Sequence, residues 1–68
     1  MLIQHKNIGK NVRFIYENAD GTRQERNGKV VEVGMNNKTG VPFLKLEIAD
    51  NQFRTFTSAR IVGKVIVQ

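Results

Sequence analysis

Between Gln52 and Val67 the chain reads as strand, break and strand, and no other feature constrains its fold as closely. Gln52-Phe53-Arg54-Thr55-Phe56 alternates, Thr57-Ser58-Ala59-Arg60 interrupts it, and Ile61 to Val67 is apolar and β-branched again. A single helical turn between two strands lets a small sheet bend back on itself, which is how small five-stranded barrels close. The same turn brings Arg54 and Arg60 toward one corner.

The preceding residues supply three more strands. From Lys10 to Tyr16, Val12, Phe14 and Tyr16 point one way and Arg13, Ile15 and Glu17 the other. Glu17 to Gly21 contains Asn18, Asp20 and Gly21, the residue types of a tight hairpin turn. The second strand starts polar, from Thr22 to Asn27, and turns apolar at Val30, Val31 and Val33, with a bulge expected at Gly28. Gly34 to Gly40 is polar and glycine-bounded and reads as an exposed loop. Val41 to Ile48 is the third strand, with Leu44, Leu46 and Ile48 on one face, Phe43, Lys45 and Glu47 on the other, and Pro42 at an edge or at the strand start. Ala49-Asp50-Asn51 turns into the fourth strand, and Gly63 bends the fifth. No stretch from Lys10 onward repeats apolar residues at helical spacing, so the class is all-β: a small five-stranded SH3-like barrel with a short helical turn before the last strand.

Sixty-eight residues make one domain, read as an N-terminal arm over 1–9 packed on a barrel over 10–68. Leu2, Ile3 and Ile8 of the arm form either a helical turn or a short strand over an open barrel end. The expected core is Val12, Phe14, Val31, Val33, Leu44, Leu46, Ile48, Phe56, Ile61, Val65 and Val67, with Phe53 at its margin. With no cysteine and a single histidine, the chain has no disulfide framework and no thiolate or histidine-rich metal site, so apolar packing or self-association must hold it. Only two apolar residues follow Met1 before Gln4, which offers neither a signal-peptide core nor a membrane span, and a cytoplasmic address is expected.

Catalysis is not expected. His5 stands alone in the arm, the acids Glu17, Asp20, Glu25, Glu32, Glu47 and Asp50 show no paired-carboxylate or metal-ligand spacing, and no cofactor is implied. The glycines are too widely spaced to cradle a phosphate. What stands out is charge: eleven Lys and Arg against six Asp and Glu leave a net +5. A basic surface suits a polyanion, although the charges are dispersed and serve solubility equally well until folding gathers them.

Nucleic-acid binding needs cations for phosphates and exposed aromatics for unstacked bases. Arg13, Arg26, Lys45 and Arg54 are candidates for the first, and Tyr16, Phe43 or Phe53 for the second. Alternation puts Phe43 and Lys45 on one face, so an aromatic and a cation are displayed together unless Phe43 packs under the arm. Tyr16 either contributes its ring or closes the barrel end, and Arg54 and Arg60 either bind or pair with Glu47 or Asp50 around the corner. Met35 is either an exposed contact or a plug over the core.

Val12-Arg13-Phe14-Ile15-Tyr16, the Asp20-Gly21 turn, Arg26, and Phe53-Arg54-Thr55-Phe56 followed by Arg60-Ile61 together resemble the WYL domain. That family has an SH3-like barrel, occurs in bacterial transcription regulators and defence proteins, and is thought to bind nucleic acid or nucleotide-type ligands. The resemblance spans most of 10–67 and implies that Tyr16, Arg26, Arg54 and Arg60 lie on or beside a ligand face. Pro42-Phe43-Leu44 or Phe43-Leu44-Lys45 stands where the family has Trp-Tyr-Leu. Asn27 to Val33 is similar to the KOW motif of ribosomal and transcription-elongation barrels. The expectation is therefore a small basic barrel that binds DNA or RNA as an accessory or regulatory module, in the manner of phage and mobile-element proteins, through Arg13, Tyr16, Arg26, Phe43, Lys45, Arg54 and Arg60. The alternative is a protein-interaction adaptor using a strand edge or the 34–40 loop, with homo-oligomer formation through the same edges.

Overall fold

The computed structural model describes residues 4–68. Five strands, β1 (Asn11–Glu17), β2 (Arg23–Met35), β3 (Pro42–Ala49), β4 (Gln52–Thr57) and β5 (Ile61–Val67), form one antiparallel sheet in the order β4-β3-β2-β1-β5. Ser58–Arg60 is a 3-10 turn between β4 and β5, so the all-β class and the short helical turn before the last strand are as the sequence indicates. No ladder joins β4 to β5, and the sheet is open. It nonetheless curls: the Tyr16 hydroxyl of β1 accepts a hydrogen bond of 3.3 Å from the Thr57 amide of β4, across the two strands that separate them in the sheet.

The curl is built into β2, whose residues 23–29 pair with β1 and residues 29–35 with β3. Gly28 sits at the corner between the halves. A Cβ there would lie 2.7 Å from the Glu47 carbonyl oxygen and 3.2 Å from the Leu46 Cβ, so only glycine lets β3 approach. The expected bulge at Gly28 is therefore a close approach instead, and Gly28 keeps regular register with Val12. The bulge falls at Val31, the extra residue between the pairs Val30–Leu46 and Glu32–Lys45. That shift turns both Val30 and Val33 toward the paired leucines and makes Val30, not Val31, the fully buried valine of β2.

Val12, Phe14, Val30, Leu44, Leu46 and Phe56 form the core, with Tyr16, Val33, Ile61 and Val65 packed against it. Phe14 and Tyr16 meet the Phe56 ring edge to face at 5.3 and 4.9 Å between centroids. Ile48, Phe53 and Val67 do not join them. Ile48 is the extra residue of a second bulge, between Glu47 and Ala49, and is 43% exposed. Phe53 pairs with Glu47 on the outer face, and Val67 is the last residue of β5, which among the described residues has no strand beyond it. Gly63, at φ +75°, marks the expected bend of β5, where the register with β1 shifts by two residues.

The first hairpin closes as its turn residues direct. Gly21 takes φ +87°, and the Asp20 carboxylate accepts from the Thr22 amide at 3.0 Å and from its hydroxyl at 2.6 Å. Those two bonds hold the Asp20 carboxyl below its usual range. The second loop is shorter than expected: Gly34 and Met35 belong to β2, and the turn spans Asn36 to Val41, with Met35 exposed. Within the arm, His5–Asn7 is a 3-10 turn, Asn7 is buried, and Ile8 is exposed. Leu2 and Ile3 lie outside the described residues.

Candidate nucleic-acid interface

Arg26 and Arg54 reach the core side of the sheet because of their register. Arg26 on β2 stands opposite Phe14, and Arg54 on β4 opposite Leu46, and directly paired residues share a face. Both side chains leave the apolar interior at its rim, where their guanidinium carbons lie 5.8 and 5.9 Å from the centroid of the Phe56 ring. A cation over an aromatic face gains about 0.5–2 kcal/mol, the larger figure where water is excluded. Asn18, just past the end of β1, joins a third arginine to the group. Its side-chain oxygen accepts from Arg26 Nη2 at 2.8 Å and its backbone carbonyl from Arg60 Nη1 at 3.2 Å.

Arg26 links the group, sharing the Phe56 ring with Arg54 and Asn18 with Arg60, and among the described residues none of the three has a carboxylate within 4 Å. Among the described residues the ion pairs are Arg23–Glu17 at 3.6 Å and Lys29–Glu47 at 3.7 Å, and neither involves the rim. The alternative in which Arg54 and Arg60 pair with Glu47 or Asp50 is not what forms: Glu47 is engaged by Lys29, and Arg60 is held by a neutral carbonyl. Arg26 Nε is buried with no hydrogen-bond partner. A donor left in that state costs about 1–3 kcal/mol, more when charged, and an anion at the rim would neutralise part of the local field.

Tyr16 is at the rim as well, half-buried, with its ring on Phe14 and Phe56 and its hydroxyl oxygen accepting from the Thr57 amide. It closes the end of the sheet rather than offering a free stacking face.

A second group lies on the outer face of β3 and β4. Phe43 and Lys45 share that face as alternation requires, but Phe43 is half-buried, its ring laid over Gly34, where a Cβ would meet the ring carbon Cζ at 2.7 Å. Phe53, expected at the margin of the core, is the aromatic that stands out there, 50% exposed, with Lys45 Nζ 5.5 Å from its ring centroid. Arg13 is apart from both groups, on the outer face of β1, where it lines a shallow hollow with Glu25, Lys64 and Ile66. Of the seven residues singled out by sequence, the fold thus gathers Tyr16, Arg26, Arg54 and Arg60 into one rim, puts Phe43 and Lys45 on another surface, and isolates Arg13.

Sequence reading missed Asn18 and Phe56 as parts of these surfaces, and offered Phe53 only as one of three candidate aromatics. Asn18 carried only a turn signal, and its clasp on Arg26 and Arg60 depends on the hairpin and the Ser58–Arg60 turn meeting in space. Phe53 had a usable signal, because it is three residues from the buried Phe56 and so on the opposite face of a regular strand.

Among the described residues no three His, Asp or Glu side chains come together as metal ligands, and no helix is long and apolar enough to cross a membrane. Set against family models, curated proteins and solved structures, the chain gives no match in any of the three.

Proposed function

We propose that this protein is a small basic nucleic-acid-binding module, accessory or regulatory in role, that holds the phosphate backbone at the rim of Arg26, Arg54 and Arg60. The observation that carries the reading is that Arg26 and Arg54 share the Phe56 ring, Arg26 and Arg60 share Asn18, and none of the three has an acidic partner within 4 Å among the described residues. Guanidinium groups bind phosphate through parallel charge-assisted hydrogen bonds, and a cluster with unspent donors suits a backbone that presents phosphates at regular intervals. The net charge of +5 adds long-range attraction. The likeness to WYL domains supports the same assignment, since Tyr16, Arg26, Arg54 and Arg60 are the positions it implicates.

A salt-series titration against matched single-stranded DNA, double-stranded DNA and RNA tests it. Neutralising about three phosphates gives a log–log salt slope near −2 to −3, so affinity should fall roughly 20- to 60-fold between 50 and 200 mM salt. Arg54→Glu should weaken binding and flatten that slope. Salt-insensitive binding would sink the proposal.

A second reading has its own observation: among the described residues β4 is paired only to β3 and β5 only to β1, which suits strand addition at either edge by a partner protein or another copy of the chain. Saturable binding to one protein, with indifference to DNA and RNA, would select it.

A further inference from the structure

Phe53 is hard to explain as packing. It stands on the edge strand β4 with half its surface in solvent, although the same strand buries Phe56 almost completely. A large aromatic exposed on an unpaired edge invites non-specific association, and edges are ordinarily guarded by charge or proline. Its neighbours are arranged to leave it open. Glu47, directly opposite, is drawn to Lys29 at 3.7 Å, which leaves Lys45 without a carboxylate within 4 Å among the described residues and with its ammonium 5.5 Å from the ring centroid. Phe43, the other outer-face aromatic, is committed to Gly34. Glu32 stands opposite Lys45 in the β2–β3 ladder without forming an ion pair within 4 Å, and an accessible ring with a cation beside it is what an unstacked base and its phosphate require. Arg54 of the phosphate rim is the next residue along the strand, pointing to the opposite face, so the ring and the rim flank the same free edge.

We propose that Phe53, with Lys45 beside it, is a base-stacking platform that makes the protein prefer single-stranded over double-stranded nucleic acid, with the strand running along the free edge of β4. The inference rests on the phosphate-binding role of the arginine rim and adds the substrate class to it. A duplex keeps its bases stacked on one another and offers the ring nothing, whereas a single strand can lay a base on it.

The test uses the full chain with short single-stranded DNA and RNA oligonucleotides and a duplex of equal length, comparing wild type, Phe53→Ala, Phe53→Trp, Lys45→Gln and Arg54→Glu. Loss of one base–aromatic stack corresponds to about a 5- to 150-fold weakening. Phe53→Ala should show that loss on single strands and leave duplex affinity and the salt slope unchanged. Phe53→Trp should bind single strands at least as well as wild type. Because the chain has no tryptophan of its own, the Trp variant also carries a single indole, whose fluorescence should be quenched by a stacked base. Thermal melts establish that each variant is folded. If Phe53→Ala binds single strands like wild type while Arg54→Glu does not, the platform is refuted and the phosphate rim stands. If wild type binds neither polymer at low salt, both fall. An unquenched indole in a single-strand complex, or a duplex preference in wild type, also overturns the platform.

Discussion

Gly28→Ala should be the most informative single substitution for the architecture. The added methyl would sit 2.7 Å from the Glu47 carbonyl oxygen and 3.2 Å from Leu46 Cβ, and the first of these is a backbone atom that can move only if β3 moves. Relieving such a contact by shifting a packed strand costs about 1–3 kcal/mol. Replacing glycine in the unfolded chain returns about 0.4–1 kcal/mol through lost conformational freedom. The net destabilisation is then about 1–2 kcal/mol, which for a domain of this size lowers Tm by roughly 5–15 °C. Differential scanning calorimetry reads the shift directly. Amide hydrogen exchange locates it, with faster exchange expected across the β2–β3 ladder than across β1–β5. If Gly28→Ala melts at or above the wild-type temperature, β3 does not cross β2 as closely as described, and the account of how β2 divides the sheet fails with it.

Leu46→Ala should cost about 2–5 kcal/mol and Phe14→Ala about 3–5 kcal/mol, a large share of a total stability of roughly 3–10 kcal/mol for so short a chain, so either variant should melt far below the wild-type temperature by circular dichroism; a cooperative melt near the wild-type temperature would contradict the core assignment. Tyr16→Phe removes the acceptor of the Thr57 amide and should lower stability by about 0.5–1.5 kcal/mol in urea titration, and an unchanged midpoint would mean that this tie does not help the sheet curl. The Asp20 carboxyl is held below its usual value by Thr22, so its folded pKa is depressed relative to the unfolded chain. Its contribution is therefore fully present above about pH 4 and is lost as pH falls through the lower folded value. Asp20→Asn should accordingly be less stable than wild type at neutral pH, with the gap closing as the pH is taken well below 4; a gap that widened on acidification would reverse the sign.

The succession of five strands, the first hairpin turn and most of the core were legible because they rest on local rules. Period-two alternation identified Val12, Phe14, Leu44, Leu46 and Phe56 as buried, and Asp20-Gly21 specified the first hairpin. Alternation failed where a strand carries an extra residue. The bulges at Val31 and Ile48 each reset the pattern, exchanging Val31 for Val30 in the core and turning Ile48 out. Nothing local distinguishes a bulged valine or isoleucine from a regular one, because the shift is defined by the partner strand.

The candidate site divides in the same way. Composition alone establishes an excess of cations, and a chain with no cysteine and one histidine limits which chemistries its side chains offer. Which arginines act together is a tertiary matter. Arg26, Arg54 and Arg60 are separated by 28 and 6 positions in sequence and meet only because the sheet curls at Gly28 and the Ser58–Arg60 turn brings its arginine against Asn18. Arg13, as basic as any of them, is left on the outer face by the parity of one strand. Residue type and spacing set the charge and the strands, since those depend on near neighbours; which arginines share a rim and which cation stands beside Phe53 depend on long-range register, which is decided only when the strands pair.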